Sequence, residues 1–81
     1  SAETDSVKKQ QEAYDKSMEK GKAVLDALRS PEMAIPALET IRGLEHALTS
    51  QKELETMFKA KVKENGWTYD AKVKAYVVKA E

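Results

Sequence analysis

The sequence predicts an all-α fold, either an elongated helical hairpin or a small bundle of three to four helices. Apolar residues recur at helical spacing through most of the chain, and the residues that break helices cluster in a few short stretches. With three glycines and two prolines among 81 residues, the chain has little material for long loops. We therefore expect one helical domain over residues 1–81.

The first helix is predicted over about residues 5–29. Its seam positions alternate in steps of four and three, the a/d pattern of a heptad repeat. The seam consists of Val7, Gln11, Tyr14, Met18, Gly21, Leu25 and Leu28. A helix of about 25 residues is roughly 37 Å long, whereas a compact chain of this size is roughly 30 Å across. We therefore expect an elongated molecule whose first helix extends beyond the rest of the chain.

The stretch "RSPEMAIPA" separates this helix from the next. Pro31 and Pro36 both suit the first position of a helix, so residues 30–36 are predicted to form a connecting turn. Apolar residues then follow helical spacing over about 37–64. The segment "SQKE" at 50–53 has the spacing of a capping box and favours a fresh helix start. The sequence leaves open whether this region is one kinked helix or two.

The C-terminal stretch "KVKENGWTYDAKVKAYVV", residues 61–78, allows two interpretations. Asn65-Gly66 between alternating apolar residues is typical of a β-hairpin turn, which would make the fold α+β. Alternatively, Gly66 ends the preceding helix, a turn follows at 65–69, and a short helix or strand occupies 70–80. We favour the helix, because Lys, Ala and Glu dominate before the turn and no other segment offers a strand partner.

Residues with catalytic or metal-binding chemistry are scarce. Cysteine is absent, which excludes disulfides and thiolate metal sites. The one histidine, His46, lacks a second ligand at helical spacing and is expected to be an exposed helix residue. Ser6 and Ser17 each begin an S-x-x-K match, which a lysine-rich helix produces by chance. We therefore predict a protein that is not an enzyme, without catalytic, cofactor-binding or metal-binding residues.

The charge balance and the apolar runs of the sequence limit the classes of partner that we expect. Fourteen basic residues balance fourteen acidic residues, and this balance disfavours nucleic acid as the partner. No segment approaches the roughly 18 consecutive apolar residues of a membrane span, so a membrane partner is not expected. No secretion signal is visible, and cytoplasmic localisation is the expectation.

The first helix carries the main functional prediction. Its N-terminal half has little of its own chain to cover the seam, so a second copy or another protein's helix is expected to bind there. The predicted self-interface is Val7, Tyr14, Met18, Gly21, Leu25 and Leu28. The protein would then be a homodimeric, coiled-coil-like interaction module. Its function would be that of a small adaptor, a regulator, or an assembly or virion component.

The segment "NGWT" at residues 65–68 supports an alternative function. With Gly66 in a turn and Thr68 capping a following helix, it resembles the turn of helix-turn-helix DNA-binding proteins. That resemblance implies a small DNA-binding regulator that uses residues 59–79. The candidate nucleic-acid contacts are Lys59, Lys61, Lys63, Thr68, Lys72 and Lys74. The pattern departs from that motif where Lys72 occupies a position that is usually apolar.

Overall fold

The structure, a computed structural model, describes residues 2–79, with side chains from residue 4 onward. Residues 1, 80 and 81, at the ends of the predicted domain, lie outside the described residues. In chain order the elements are α1 (Ala2–Asp26), a short 3₁₀ helix (Pro31–Met33), α2 (Ala34–Gly43), α3 (Ser50–Glu64), β1 (Trp67–Asp70) and β2 (Ala75–Val78).

The three α-helices run up, down and up, so α1 and α3 are parallel. At one end, the Tyr14 hydroxyl of α1 bonds to Glu53 in the first turn of α3. At the other end, β2, which follows α3, lies against the 3₁₀ helix that follows α1. The molecule is elongated, as expected, with extents of 57 × 20 × 15 Å and a radius of gyration of 15.2 Å.

The hydrophobic core lies between the C-terminal half of α1 and the inner faces of α2 and α3. Its buried members are Leu25, Leu28, Ala34, Ala37, Ile41, Leu54, Phe58 and Val62. The core residues of α2 and of α3 are three or four positions apart, which places them on one face of each helix, and Leu28 follows the end of α1. Gly21 lets α3 approach α1 closely, because a Cβ at this position would meet the side chain of Leu54.

The middle of the chain forms two helices, which resolves the alternative left open by the sequence. Residues 44–49 separate them, and Leu48 adopts a positive φ of 57°. α3 begins at Ser50, but not through the predicted capping box. The Ser50 hydroxyl accepts from the backbone N–H of Ala47 instead, and no side-chain cap bond forms at Thr49.

The C-terminal segment is a two-stranded antiparallel hairpin, so the fold is mostly helical with a small β-element. The all-α prediction is incorrect at this point, and the α+β alternative describes the class better. The turn position expected for that hairpin is also wrong. Asn65-Gly66 ends α3, because Gly66 has φ 77° and its N–H bonds to the carbonyl of Lys63.

The hairpin turns at residues 71–74, six residues further on than expected. The strand register pairs Trp67 with Val78 and Tyr69 with Tyr76. Aromatic and β-branched residues favour strands in this stretch, whereas the Lys-, Ala- and Glu-rich residues before Asn65 remain helical. The carboxylate of Asp70 accepts from the N–H of Lys72, which stabilises the start of the turn.

Candidate interaction surface on the first helix

The N-terminal part of α1 projects beyond the rest of the chain. All nine residues from 4 to 12, called the arm below, are exposed, although the helix is continuous through them. At about 1.5 Å per residue the arm is roughly 13 Å long. Tyr14 forms the first side-chain hydrogen bond from α1 to another element among those recorded for the described residues. The arm is therefore an exposed extension of α1, and the rest of the chain is called the body below.

The structure divides the predicted interface into three parts. Val7 lies on the arm and is 65% exposed. Tyr14 and Met18 are half-buried at the base of the arm. The remaining members, Gly21, Leu25 and Leu28, are buried against this chain's own helices. The prediction that these three residues contact a partner is wrong, because α2 and α3 cover the C-terminal half of the seam. The N-terminal half of the seam remains exposed.

A hydrogen-bonded pair fixes α1 to α3 where the arm begins. The Tyr14 hydroxyl donates to Oε2 of Glu53 at 2.6 Å, and the Thr49 hydroxyl donates to the same oxygen at 3.1 Å. The hydrogen bond to the Glu53 carboxylate raises the pKa of Tyr14, and burial and the negative charges of Glu53 and Asp15 act in the same direction. The sequence offered no signal for this pair, because the two residues are 39 positions apart.

A groove of ≈ 700 Å³ runs beside this pair, between α1 and α3. Its lining residues are Tyr14, Met18, Lys22, Thr49, Lys52, Glu53, Thr56 and Met57. Tyr14, Met18 and Met57 supply an apolar surface, and polar and charged groups border it. Unbranched methionine side chains adapt readily to an incoming side chain. The groove therefore suits an apolar residue that is carried on a charged helix.

Two further grooves lie where α1 meets another part of the chain. One, of ≈ 570 Å³, lies between the middle of α1 and Glu45 of the loop and is lined mostly by charged side chains. The other, of ≈ 350 Å³, lies between α1 and α2 and is almost entirely apolar, with Val24, Met33 and Pro36 among its lining residues. The first borders the arm, and the second is at the opposite end of the body.

His46 has a structural role that the sequence prediction missed. It is half-buried in the loop before α3 rather than exposed on a helix. Its Nε2–H donates to the carbonyl of Ile41, which can only accept, and Nδ1 accepts from the Ser50 hydroxyl at 2.9 Å. The ring therefore links the end of α2 to the start of α3. The signal that could have indicated this role is the spacing of His46 and Ser50.

Other polar groups on the body are also engaged within the chain. The Ser17 hydroxyl is buried and donates to the carbonyl of Tyr14. Arg42 donates two hydrogen bonds to Glu55, and this contact, aided by Gln51, lowers the pKa of the Glu55 carboxyl. Within the described residues, no group of three or more His, Asp or Glu side chains is arranged to hold a metal ion.

The candidate nucleic-acid residues do not form a helix-turn-helix. The predicted recognition helix is wrong, because residues 67–70 and 75–78 are strands. Thr68 lies in β1 rather than at a helix cap, and Lys72 and Lys74 occupy the hairpin turn. The other three lysines, Lys59, Lys61 and Lys63, lie in the last turns of α3. All six residues are nevertheless at the same end of the molecule.

Comparison with known proteins adds no family assignment. No protein-family model, curated protein or solved structure gave a significant match to this chain. In the part of the chain that the structure describes, no helix has the length and apolar character needed to cross a bilayer.

Proposed function

We propose that this chain is a non-enzymatic protein–protein interaction module that self-associates through the arm and the groove at its base. Its function would be that of a small adaptor, a regulator, or an assembly or virion component, and the cytoplasm remains the expected compartment. The observation that carries this proposal is that residues 4–12 are helical yet exposed.

The arm gains little stability from its own sequence. Helices shorter than about 12–15 residues are marginal in water, and most helical stability in proteins comes from packing. Asp5 and Lys9 are spaced for an i,i+4 ion pair, which contributes only a few tenths of a kcal/mol. Binding a second helix would bury Val7 and would provide packing contacts for the arm, which is exposed in the single chain.

A second copy fits this role in an antiparallel arrangement. The heptad spacing aligns a and d positions so that Val7 lies opposite the partner's Met18, and Gln11 lies opposite the partner's Tyr14. Val7 would then enter the partner's groove, whose apolar surface includes Met57. The arrangement is twofold symmetric, so every contact occurs twice.

The same alignment brings opposite charges together. Lys8 and Asp15 both flank the seam, and antiparallel pairing places Lys8 of one copy near Asp15 of the other. Both side chains are exposed, and Asp15 already accepts a hydrogen bond from Gln11. Such pairs contribute more to orientation and partner choice than to affinity.

Two observations support a role without catalysis. The buried Ser17 hydroxyl is directed to the Tyr14 carbonyl, which leaves it poorly placed for attack on a substrate. Both ring nitrogens of His46 are engaged in bonds that join α2 to α3. General acid–base chemistry needs such groups within reach of a bound substrate.

Sedimentation equilibrium over a wide concentration range tests the proposal. We expect a wild-type dimer, and we expect Val7→Glu to raise its dissociation constant by about 100-fold. Burying one valine contributes at least about 1.5 kcal/mol, and symmetry doubles this contribution. Val73→Glu is the matched control, because Val73 is 62% exposed in the hairpin turn, at the opposite end. A wild-type monomer at all concentrations would refute self-association.

A charge exchange tests the orientation of the two copies. Lys8→Asp alone and Asp15→Lys alone should each weaken the dimer, because each places like charges opposite one another. The double variant restores opposite charges and should recover most of the lost affinity. If the double variant is weaker than either single variant, the antiparallel alignment is wrong, whatever the oligomeric state.

A further inference from the structure

The end of the molecule that carries the hairpin is basic, although the whole chain is neutral. Residues 59–79, called the hairpin end below, contain six lysines and two acidic residues, a net charge of +4. The lysines are Lys59, Lys61, Lys63, Lys72, Lys74 and Lys79. Five of them are exposed, and Lys61 is half-buried.

Nearby acidic side chains neutralise little of this positive charge. Among the described residues the recorded ion pair is Arg42–Glu55, so no lysine of the hairpin end has a carboxylate oxygen of another described residue within 4.0 Å. Lys59 lies near enough to Glu55 to help lower the pKa of that carboxyl. The Asp70 carboxylate accepts the backbone N–H of Lys72 and belongs to the turn.

An aromatic column leads from the core to this basic surface. Phe58 is fully buried and contacts Tyr76 edge-on, with ring centroids 5.7 Å apart. Tyr76 in turn contacts Tyr69, with centroids 5.4 Å apart. Tyr69 is 51% exposed at the outer end. Its ring is therefore held by packing on one side and open to solvent on the other.

We propose that the hairpin end binds single-stranded nucleic acid, with its lysines contacting phosphates and the Tyr69 ring stacking on a base. Proteins that bind single strands combine a basic surface with aromatic side chains on which bases stack. The local charge of +4 complements the phosphate backbone despite the neutral chain. An acidic protein would use the same lysines but would not need an exposed, supported aromatic ring. This site is independent of the arm.

Fluorescence anisotropy with a labelled 12-nucleotide oligothymidylate tests the proposal. Binding at low salt should weaken with a log–log slope of about −0.7 per phosphate contacted, or roughly −2 to −3 for three to four contacts. The variant Lys72→Glu plus Lys74→Glu should lose at least about 10-fold in affinity and show a shallower slope. Lys16→Glu plus Lys20→Glu on α1 is the matched control, because both lysines are exposed and the variant changes net charge equally, so it should bind almost as wild type does.

Variants of Tyr69 distinguish base stacking from electrostatic attraction between lysines and phosphates. Tyr69→Leu should lose about 5- to 10-fold in affinity with an unchanged salt slope, whereas Tyr69→Phe should keep wild-type affinity. Circular dichroism shows whether each variant is folded, and Tyr69→Phe retains the ring that contacts Tyr76. Equal loss in the Lys16→Glu plus Lys20→Glu control would overturn the site. Wild-type binding by Tyr69→Leu, or tighter binding to a 12-base-pair duplex, would overturn the single-strand assignment.

Discussion

Replacing each of two helical glycines with alanine should change stability in opposite directions, and this comparison tests how α1 packs on α3. A Cβ at Gly21 would contact both methyl carbons of Leu54 and lie 2.9 Å from its Cγ. Leu54 is fully buried, so its side chain cannot turn out into solvent to make room. At Gly43, the last residue of α2, nothing lies within 4 Å of an added Cβ.

The magnitudes follow from two opposing effects. Alanine in place of glycine stabilises a helix interior by about 1 kcal/mol, and this gain applies in full only where the methyl group meets no obstacle. Overpacking a core costs about 1–3 kcal/mol. Gly21→Ala should therefore lower the free energy of unfolding by about 1–2 kcal/mol, and Gly43→Ala should raise it by about 0.5–1 kcal/mol.

Urea denaturation followed by circular dichroism measures both changes, and thermal unfolding should follow at about 4–8 °C per kcal/mol for a chain of this size. Adding Leu54→Ala to Gly21→Ala should relieve the overlap. The double variant should then be more stable than the sum of the two single effects predicts. If Gly21→Ala stabilises the protein as much as Gly43→Ala does, the close contact between α1 and α3 is wrong.

Three further predictions concern the α2–α3 connection. His46→Ala should lower the free energy of unfolding by about 1–3 kcal/mol, measured by urea denaturation, because it removes hydrogen-bond partners from partly buried groups. Leu48→Gly should raise it by roughly 0.5–1 kcal/mol in the same assay, because glycine tolerates the positive φ of 57°. The pKa of Glu55 is lowered by Arg42, so this carboxylate stabilises the folded state above its ordinary pKa of 4.5. That contribution disappears as pH falls through the folded-state pKa, so Arg42→Gln should lower the urea midpoint at pH 7 and have less effect near about pH 2.

The first two of these predictions have a comparison variant in the same chain, and the third has an outcome that would contradict it. Glu45→Gln changes an exposed residue next to His46 and should alter stability by less than about 0.5 kcal/mol. Lys74→Gly relieves a similar φ of 54° in the hairpin turn and should stabilise to a comparable extent. Equal effects of Arg42→Gln at both pH values would show that its contact with Glu55 adds no pH-dependent stability.

The helical part of the fold follows largely from local sequence. The break near Pro31 was predicted because prolines act over a few positions. Pro36 was expected in the connecting turn but lies inside α2. The restart at Ser50 was one of two alternatives that the sequence left open. The detail of the α3 start was not predicted. The Ser50 hydroxyl bonds to Ala47 and His46 rather than to its own helix. The hydrogen-bond partners of this hydroxyl depend on where α2 ends, which is set by tertiary packing rather than by local sequence.

The C-terminal segment shows why a strong local signal can mislead. A glycine with positive φ suits both a hairpin turn and a helix C-terminus, so Asn65-Gly66 alone could not distinguish them. The residues before Asn65 are helical, because helical spacing places Phe58 and Val62 in the core. The hairpin lies C-terminal to Gly66. Packing of Tyr76 on Phe58 gives it a stabilising contact outside the two strands.

For the candidate interface, sequence spacing indicated the first helix but not which of its residues remain exposed. The heptad seam continues unchanged from Val7 to Leu28, and nothing in its pattern marks where intramolecular packing stops. The lengths of the other helices set that point. α1 has 25 residues, whereas α3 has 15 and α2 has 10. At about 1.5 Å per residue, α3 spans roughly 22 Å of a helix that is roughly 37 Å long.

This difference in length is the physical basis of the proposed function. Because α3 lies parallel to α1 and its first turn contacts Tyr14, the uncovered part of α1 lies at its N-terminus. Shifting α3 by one turn towards the arm would cover about 5 Å more, but it would move Leu54 away from Gly21 and Phe58 away from the core. The core therefore fixes the position of α3 and, with it, the exposure of Val7. α3 therefore cannot cover the arm without breaking this packing, and the proposed function assigns that role to a helix from a second copy.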